Sequence, residues 1–156
     1  MIATAPTPTA PTPTALADNW CTLSSLHGRI EARVEGALAA HGLSSREFSL
    51  LDVLSRQHDG EGGHLQMKQV TEAVVLSQSA TTRLVTRLED RGLLSRYLCP
   101  TDRRGIYTDV TDTGLALLED ARPTYLAALG EALEEASRDP RLRPLVDALK
   151  ALGTSA

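Results

Sequence analysis

Apolar residues recur every three or four positions along most of the chain, and this spacing predicts helices rather than strands. A long first helix is predicted from about Leu16 to Ala40, with Gly42 ending it. Its apolar stripe also carries a histidine and consists of Leu16, Trp20, Leu23, His27, Ile30, Val34 and Leu38. Residues 1–15 are almost all Ala, Pro and Thr, and the alternating prolines predict a disordered or polyproline-like tail.

Two shorter helices are predicted next, with a loop between them. Ser44 and Glu47 have the spacing of a capping box, which predicts that a second helix of about three turns starts here. The glycine-rich sequence HDGEGGH at 58–64 predicts a break, and LQMKQVTEAVV predicts a short third helix. The residues expected to face inward are Phe48, Leu51 and Leu54 in the second helix, and Met67, Val70, Ala73 and Val74 in the third.

A fourth helix is predicted over residues 77–91, with Ser77 as its N-cap and Gly92 as its left-handed end. At 100° per residue its side chains separate into two faces. The inward face is predicted to hold Ala80, Leu84, Val85 and Leu88, and the outward face Ser79, Thr82, Arg83, Thr86 and Asp90.

The remaining chain predicts a hairpin and two further helices. Strands are expected at Leu94–Cys99 and Gly105–Val110 around the polar turn PTDRRG. A long fifth helix begins near Thr111, and RLRPLVDALKAL forms a sixth. The apolar stripe of the fifth helix is predicted to be Leu115, Leu118, Tyr125, Leu129 and Leu133. This order predicts a mainly α fold, in which a winged helix-turn-helix over 43–111 lies between terminal helices at 16–42 and 112–156, all within one domain of residues 16–156.

Charge is unevenly distributed along this acidic chain, whose formal net charge is -4. The segment from Gln66 to Thr108 carries seven basic residues against four acidic ones, while the remainder carries nine basic and sixteen acidic. A basic segment in an acidic body suits a protein that contacts nucleic acid with one part of its surface.

The outward face of the fourth helix has the chemistry of a helix that enters a DNA major groove. Small hydroxylated side chains allow close approach and bind phosphate, and the guanidinium of Arg83 can donate two hydrogen bonds to one guanine. Gln78 lies at the edge of this face. The alternative is a solvated surface helix that carries arginines by chance.

The turn of the hairpin presents Arg103 and Arg104 as further DNA contacts. Asp102 beside them has two interpretations that remain open. It orients a neighbouring arginine for the minor groove, or it is present only because aspartate favours a turn.

The stretch LQMKQVTEAVVLSQSATTRLVTRLEDRGLLSRYLCPTDRRGIYTDVTDTG resembles the core of the MarR (multiple antibiotic resistance regulator) family of transcription factors. The resemblance implies a homodimer that binds double-stranded DNA, with the terminal helices forming the dimer interface. It places the DNA contacts at Ser77, Gln78, Ser79, Thr82, Arg83, Thr86, Arg103 and Arg104. The sequence departs from the family at Thr81, where valine is common, and at Thr86, where aspartate is common. A two-fold dimer would bind a pseudo-palindromic operator, and repression is the family's commoner outcome.

Three other functions compete with plain DNA binding. Trp20, Cys21 and His27 lie near the family's ligand cleft, and they suggest a thiol- or ligand-responsive variant with a small-molecule effector. His58, Asp59, Glu61 and His64 could hold a metal, although their glycine-rich spacing favours a flexible turn, so no metal site is predicted. A non-DNA-binding interaction module using the same helices is the third.

No catalytic motif is recognisable, so an enzyme is not predicted, and neither is a cofactor. Two cysteines are too few for a disulfide framework, and no secretory leader or long apolar run occurs. A cytoplasmic protein that does not associate with membranes is therefore expected.

Overall fold

The computed structural model describes residues 10–58, 65–98 and 106–152. Over these residues it has six α-helices and three strands. The helices are α1 (Pro13–Leu38), α2 (Ser45–His58), α3 (Met67–Val74), α4 (Gln78–Asp90), α5 (Asp112–Ser137) and α6 (Arg143–Leu152). The strands are β1 (Leu65–Gln66), β2 (Leu94–Leu98) and β3 (Ile106–Val110). The predicted mainly α winged helix-turn-helix is confirmed, and none of the helices in the described ranges is long and apolar enough to cross a bilayer.

Helix α1 begins at Pro13, three residues before its predicted start and within the segment predicted as tail. Thr12 caps it, because its carbonyl accepts from the backbone N–H of Leu16 at 3.0 Å and its hydroxyl from that of Ala15 at 3.3 Å. Proline suits the first helical position, where the N–H has no partner within the helix. A single 3₁₀ turn then leads to Gly42, whose φ of 66° ends the segment as predicted. Residues 1–9 lie outside the described part of the chain.

The predicted capping box at the start of α2 is confirmed. The Glu47 carboxylate accepts from the backbone N–H of Ser44 at 2.9 Å, and the Ser44 hydroxyl accepts from that of Glu47 at 3.1 Å. The inward face of α2 is buried as predicted and also includes Leu50. Its buried apolar residues are Phe48, Leu50, Leu51 and Leu54.

The segment predicted as the third helix divides into strand β1 and helix α3. Leu65 and Gln66 pair with Thr108 and Tyr107 of β3, a partner that lies too far along the chain for helical spacing to reveal. In α3 Val70 is fully buried, but Ala73 is exposed and Val74 half-buried, contrary to the prediction. The next residue, Val75, turns the chain towards α4 in the left-handed region, at φ 53°.

Both ends of α4 are as predicted. The Ser77 hydroxyl accepts from the backbone N–H of Ala80 at 3.3 Å, and Gly92 has a φ of 70°. The inward face differs at one position, because Thr81 is fully buried while Ala80 is half-buried. Thr81 tolerates burial because its hydroxyl donates to the Ser77 carbonyl at 3.1 Å.

The predicted hairpin is part of a three-stranded antiparallel sheet of order β1-β3-β2. Its strands end at Leu98 and begin again at Ile106, one residue inside each predicted limit. Helices α2 and α3 contact β3, and α4 contacts β2. The sheet thus connects the helix-turn-helix to the base of the wing. The turn over 99–105, with Arg103 and Arg104, lies outside the described residues.

Residues 33–129 form one compact unit, which contains the helix-turn-helix and the sheet. Within it, α5 starts at Asp112, one residue after its predicted start at Thr111. The Thr111 hydroxyl caps the helix by accepting from the backbone N–H of Gly114 at 3.1 Å. The deepest positions of this part of α5 are Leu118, Ala121 and Ala128. Leucine spacing had placed Leu115, Tyr125 and Leu129 there, but these are only half-buried.

A second compact unit, the terminal unit, comprises the described residues 10–32 and 130–152. Leu26, Ala136, Leu142 and Val146 form its buried core, and Ile30, Leu133 and Leu145 pack against them. The predicted stripe of α1 is mostly exposed in this unit, because Leu16, Trp20, Leu23 and His27 are all exposed. Helix α6 starts at Arg143, two residues later than predicted.

Candidate nucleic-acid interface

The outward face of α4 has the composition that the sequence predicted. Gln78, Ser79, Thr82 and Arg83 are exposed, and Thr86 is half-buried. The Thr82 hydroxyl donates to the Gln78 carbonyl at 2.9 Å, so its oxygen lone pairs remain available as acceptors. The Ser77 and Ser79 hydroxyl oxygens lie 3.3 Å apart at the start of the helix.

This surface can approach a polyanion closely. Its side chains are short around one long guanidinium, and the first N–H groups of any helix lack partners within the helix. Within the described residues, the side chain of Arg83 makes no hydrogen bond or ion pair, so its donors are free for a ligand. The geometry supports contact with phosphates at the helix start and with base edges at Arg83.

A buried carboxylate holds two further arginines, Arg87 within α4 and Arg91 at its C-cap. Glu47 is only 5% exposed, and its two carboxylate oxygens lie 3.0 Å from Nε of Arg87 and 3.4 Å from Nη1 of Arg91. Arg91 also donates to the Gly42 carbonyl at 2.9 Å. Glu47 therefore joins the start of α2 to α4. The sequence indicated only its capping role, because its arginine partners lie about forty residues further on.

A second ion pair joins α4 to the base of the wing. The Glu89 carboxylate accepts from Nε of Arg96 at 2.8 Å, from its backbone N–H at 3.3 Å and from its Nη2. The hydrogen bonds and the positive charge of Arg96 hold the pKa of Glu89 below its ordinary value near 4.5, against the opposing effect of desolvation. Arg96 is thus occupied within the protein rather than free for DNA.

The candidate ligand or redox residues lie in the terminal unit and are only partly brought together. Trp20 is 67% exposed and Cys21 is an exposed free thiol. His27 lines an apolar groove of about 330 Å³ formed by α1 and α6, with its Nε2 3.9 Å from Oε1 of Glu31. Neither Trp20 nor Cys21 lines this groove. In this single chain Cys21 is not buried as a small apolar side chain.

The candidate metal residues at 58–64 fall outside the described side chains. In the parts of the chain that are described, no group of three or more His, Cys, Asp or Glu side chains is placed to hold a metal ion.

Comparisons with known proteins identify relatives of the same fold and family. A model of the MarR family matches residues 41–105. The chain is similar to the HTH-type transcriptional regulator MhqR of Bacillus subtilis (strain 168), with 28% identity over 134 residues that cover 86% of this chain and 88% of MhqR.

Solved structures show the same fold over almost the whole chain. CouR from Rhodococcus jostii RHA1, crystallised bound to p-coumaroyl-CoA, is 30% identical, with a TM-score of 0.67 and coverage of 91% of this chain and 96% of CouR. Sco3205 is a MarR family transcriptional regulator from Streptomyces coelicolor that was solved in complex with DNA. It is 20% identical, with a TM-score of 0.68 and coverage of 94% of this chain and 90% of the Sco3205 chain. The helices, sheet and sequence agree, and the chain belongs to the MarR family of transcriptional regulators.

Proposed function

We propose that this protein is a sequence-specific regulator that binds double-stranded DNA as a homodimer and represses transcription from a pseudo-palindromic operator. The observation that carries the proposal is the exposed face of α4, where Ser79, Thr82 and an unpaired Arg83 follow a capped helix start. Sco3205, which shares this fold, was solved in complex with DNA. A DNA-binding repressor of this kind works in the cytoplasm.

Each contact residue has a distinct role in this proposal. Arg83 reads a base, most favourably the O6 and N7 acceptors of guanine. Ser77, Gln78, Ser79, Thr82 and Thr86 contact phosphates and base edges around it. Arg103 and Arg104 extend the contact from the wing into the neighbouring groove.

Dimerisation gives the operator its symmetry. The exposed apolar residues of the terminal unit, which a second copy would cover, are Leu16, Trp20, Leu23, Leu149 and Leu152. A two-fold dimer presents two α4 helices to half-sites about 34 to 36 Å apart, or a multiple of this distance.

The test begins with in vitro selection of bound duplexes, followed by affinity measurements on Arg83 variants. Arg83→Ala should cost about 1 to 3 kcal/mol on the selected operator and relax the preference at one base position. Arg83→Lys serves as the matched control, because it keeps the charge but loses the two-pronged donor geometry. It should retain binding to random duplex while losing the same base preference.

Two results would contradict the proposal. If Arg83→Ala binds the selected operator as tightly as the wild type, Arg83 does not read a base. If the wild type shows no salt-dependent DNA binding, the chain acts instead as an interaction module that does not bind DNA.

A second proposal adds regulation through the terminal unit. The exposed thiol of Cys21 makes a thiol-responsive regulator chemically accessible, and His27, which lines the groove of α1 and α6, is the proposed contact for a small-molecule effector. Peroxide should lower operator affinity in the wild type but not in Cys21→Ser. p-Coumaroyl-CoA, the ligand found in CouR, is the first effector to titrate. If neither peroxide nor that ligand changes operator affinity, the protein binds DNA without this regulation.

A further inference from the structure

A groove beside α4, the proposed recognition helix, brings together three arginines from α2 and α4. Its volume is about 300 Å³, and it is lined by Arg46, Leu76, Ala80, Arg83, Leu84 and Arg87. Arg46 is the second residue of α2 and precedes Arg83 by thirty-seven positions. Only folding brings it to α4, which is why helix spacing gave no sign of it.

The charges around this groove are unbalanced. Arg87 is paired with Glu47 at 3.0 Å. In the described residues, the side chains of Arg46 and Arg83 make no hydrogen bond or ion pair, and both are exposed. No acidic side chain lines the groove. The unpaired guanidinium of Arg46 therefore leaves a positive charge at the groove, which a bound anion would neutralise.

The residues that line the groove suit a phosphate group. Leu76, Ala80 and Leu84 supply apolar surface on which arginine stems can pack while their guanidinium groups remain at the rim. Guanidinium groups match the oxygens of a phosphate in geometry as well as charge. The groove also adjoins the outward face of α4, so a duplex bound there would bring its backbone to the groove.

We propose that this groove holds a backbone phosphate of the bound duplex and that Arg46 is a DNA contact outside the recognition helix. The inference rests on the proposed DNA-binding function and adds a contact that is independent of sequence. Arg46 then sets how far α4 enters the major groove, while Arg83 is free to read a base.

The experiment measures affinity for a random-sequence 30-base-pair duplex and for the selected operator across a range of salt. Log affinity falls as log salt rises, and loss of one phosphate contact should make this negative slope shallower by about 0.9. If the lines for wild type and Arg46→Ala meet near 1 M salt, affinity at 0.1 M falls by about eightfold. The same factor is expected for both duplexes, whereas Arg83→Ala should weaken the operator more than the random duplex.

Two further variants separate a local contact from general charge. Arg46→Lys should keep most of the slope, because it keeps the cation. Arg56→Ala removes the same charge from the same helix, but Arg56 is paired with Asp52 and does not line the groove, so its slope should match the wild type. Circular dichroism and melting temperature confirm that each variant is folded.

The possible failures are distinguishable from one another. If the wild type binds DNA and Arg46→Ala leaves the slope unchanged, or makes it no shallower than Arg56→Ala does, the phosphate contact is overturned while the proposed function stands. If the wild type binds neither duplex, the proposed function fails and the contact fails with it.

Discussion

Gly114, in the first turn of α5, lies where another part of the backbone approaches very closely. A Cβ built at this position would be 2.2 Å from the Leu93 carbonyl oxygen and 2.9 Å from Cγ2 of Val110. Both neighbours are themselves buried, and one of the clashing atoms belongs to the backbone, so neither can move aside easily. The glycine is therefore required by the packing of α5 against the sheet and the loop before it.

Gly114→Ala should lower the free energy of unfolding by about 1 to 3 kcal/mol, because overpacking outweighs the gain in helix propensity. Gly130→Ala is the matched control in the same helix, since a Cβ there meets nothing within 4 Å. It should raise stability by up to about 1 kcal/mol. Urea unfolding of both variants measures the difference. Equal effects at the two positions would show that the loop adjusts to the added methyl group.

Residues whose structure depends on neighbours within four positions were predictable. Ser44 with Glu47, and Ser77 with Ala80, form their caps within one turn, so the local sequence predicted both caps. Residues whose role depends on distant partners were not. The burial of Thr81 and the inclusion of Arg46 in a groove depend on the packing of helices that spacing alone does not reveal.

At the scale of elements, Glu47 performs two tasks that one substitution can separate. Its carboxylate caps α2 and also pairs with Arg87 and Arg91 across the helix-turn-helix. Glutamine can replace glutamate in a capping box but carries no charge. A comparison of Gln and Ala variants thus separates the cap from the ion pairs.

Glu47→Gln should lower the free energy of unfolding by roughly 1 to 3 kcal/mol through loss of the ion pairs with Arg87 and Arg91, between the values typical of exposed and of buried pairs. Glu47→Ala should cost about 1 kcal/mol more, because the cap is lost as well. Glu72→Gln, at an exposed acid on α3, is the control and should change stability little. Chemical denaturation measures all three. A Gln variant as stable as the wild type would mean that the arginine pairs contribute nothing to stability.

The pair of Glu89 and Arg96 connects α4 to β2 and makes stability depend on pH. The pKa of Glu89 is lowered in the folded chain, so the pair stabilises the protein above the ordinary pKa near 4.5. That contribution is lost as the pH falls through the lowered value.

Arg96→Gln should therefore be less stable than the wild type at pH 7, and the gap should narrow as the pH falls below about 4.5. Arg138→Gln is a suitable control, because its pair with Glu134 is largely exposed on both sides and should contribute little at any pH. Urea unfolding between pH 3 and pH 7 measures both. A gap for Arg96→Gln that stays constant with pH would exclude Glu89 as its source.

The helices and the hairpin of β2 and β3 follow from local patterns and were predicted, whereas β1, which pairs with a distant strand, was not. All six helices follow from apolar spacing, although their ends moved by up to three residues, as at Pro13. Strand β1 is only two residues long, and its identity comes entirely from β3. In α5 the leucine spacing predicted the burial of Leu118 correctly, but Ala121 and Ala128 are the other deeply buried positions of that part of the helix, which leucine spacing does not indicate.

At the scale of the whole molecule, the sequence predicted apolar terminal helices, and the structure leaves part of their surface exposed. Leu16, Trp20 and Leu23 on α1, with Leu149 and Leu152 on α6, are all exposed in the single chain. Apolar surface of this kind marks a contact with a partner. Intramolecular burial therefore explains Leu26 and Val146, while the second chain of the proposed homodimer would cover the exposed residues.

Trp20→Glu should dissociate the homodimer, because it places a charge in an interface that would otherwise bury an aromatic side chain. The single chain should stay folded, since Trp20 is 67% exposed and contributes little to its own core. Analytical ultracentrifugation measures the change of mass, and circular dichroism confirms the helices. The monomer should also lose most of its operator affinity, because two half-sites are no longer bound together.

Ser25→Glu is the matched control for this change. It adds the same charge to α1 at another exposed position, about 140° around the helix from Trp20. It should remain a dimer and bind the operator like the wild type. If both variants stay dimeric, the copies meet through another surface and the exposed face of α1 has a different partner. If both dissociate, added negative charge on α1 rather than loss of the Trp20 contact is responsible, because repulsion between two acidic helices would then suffice to separate the chains.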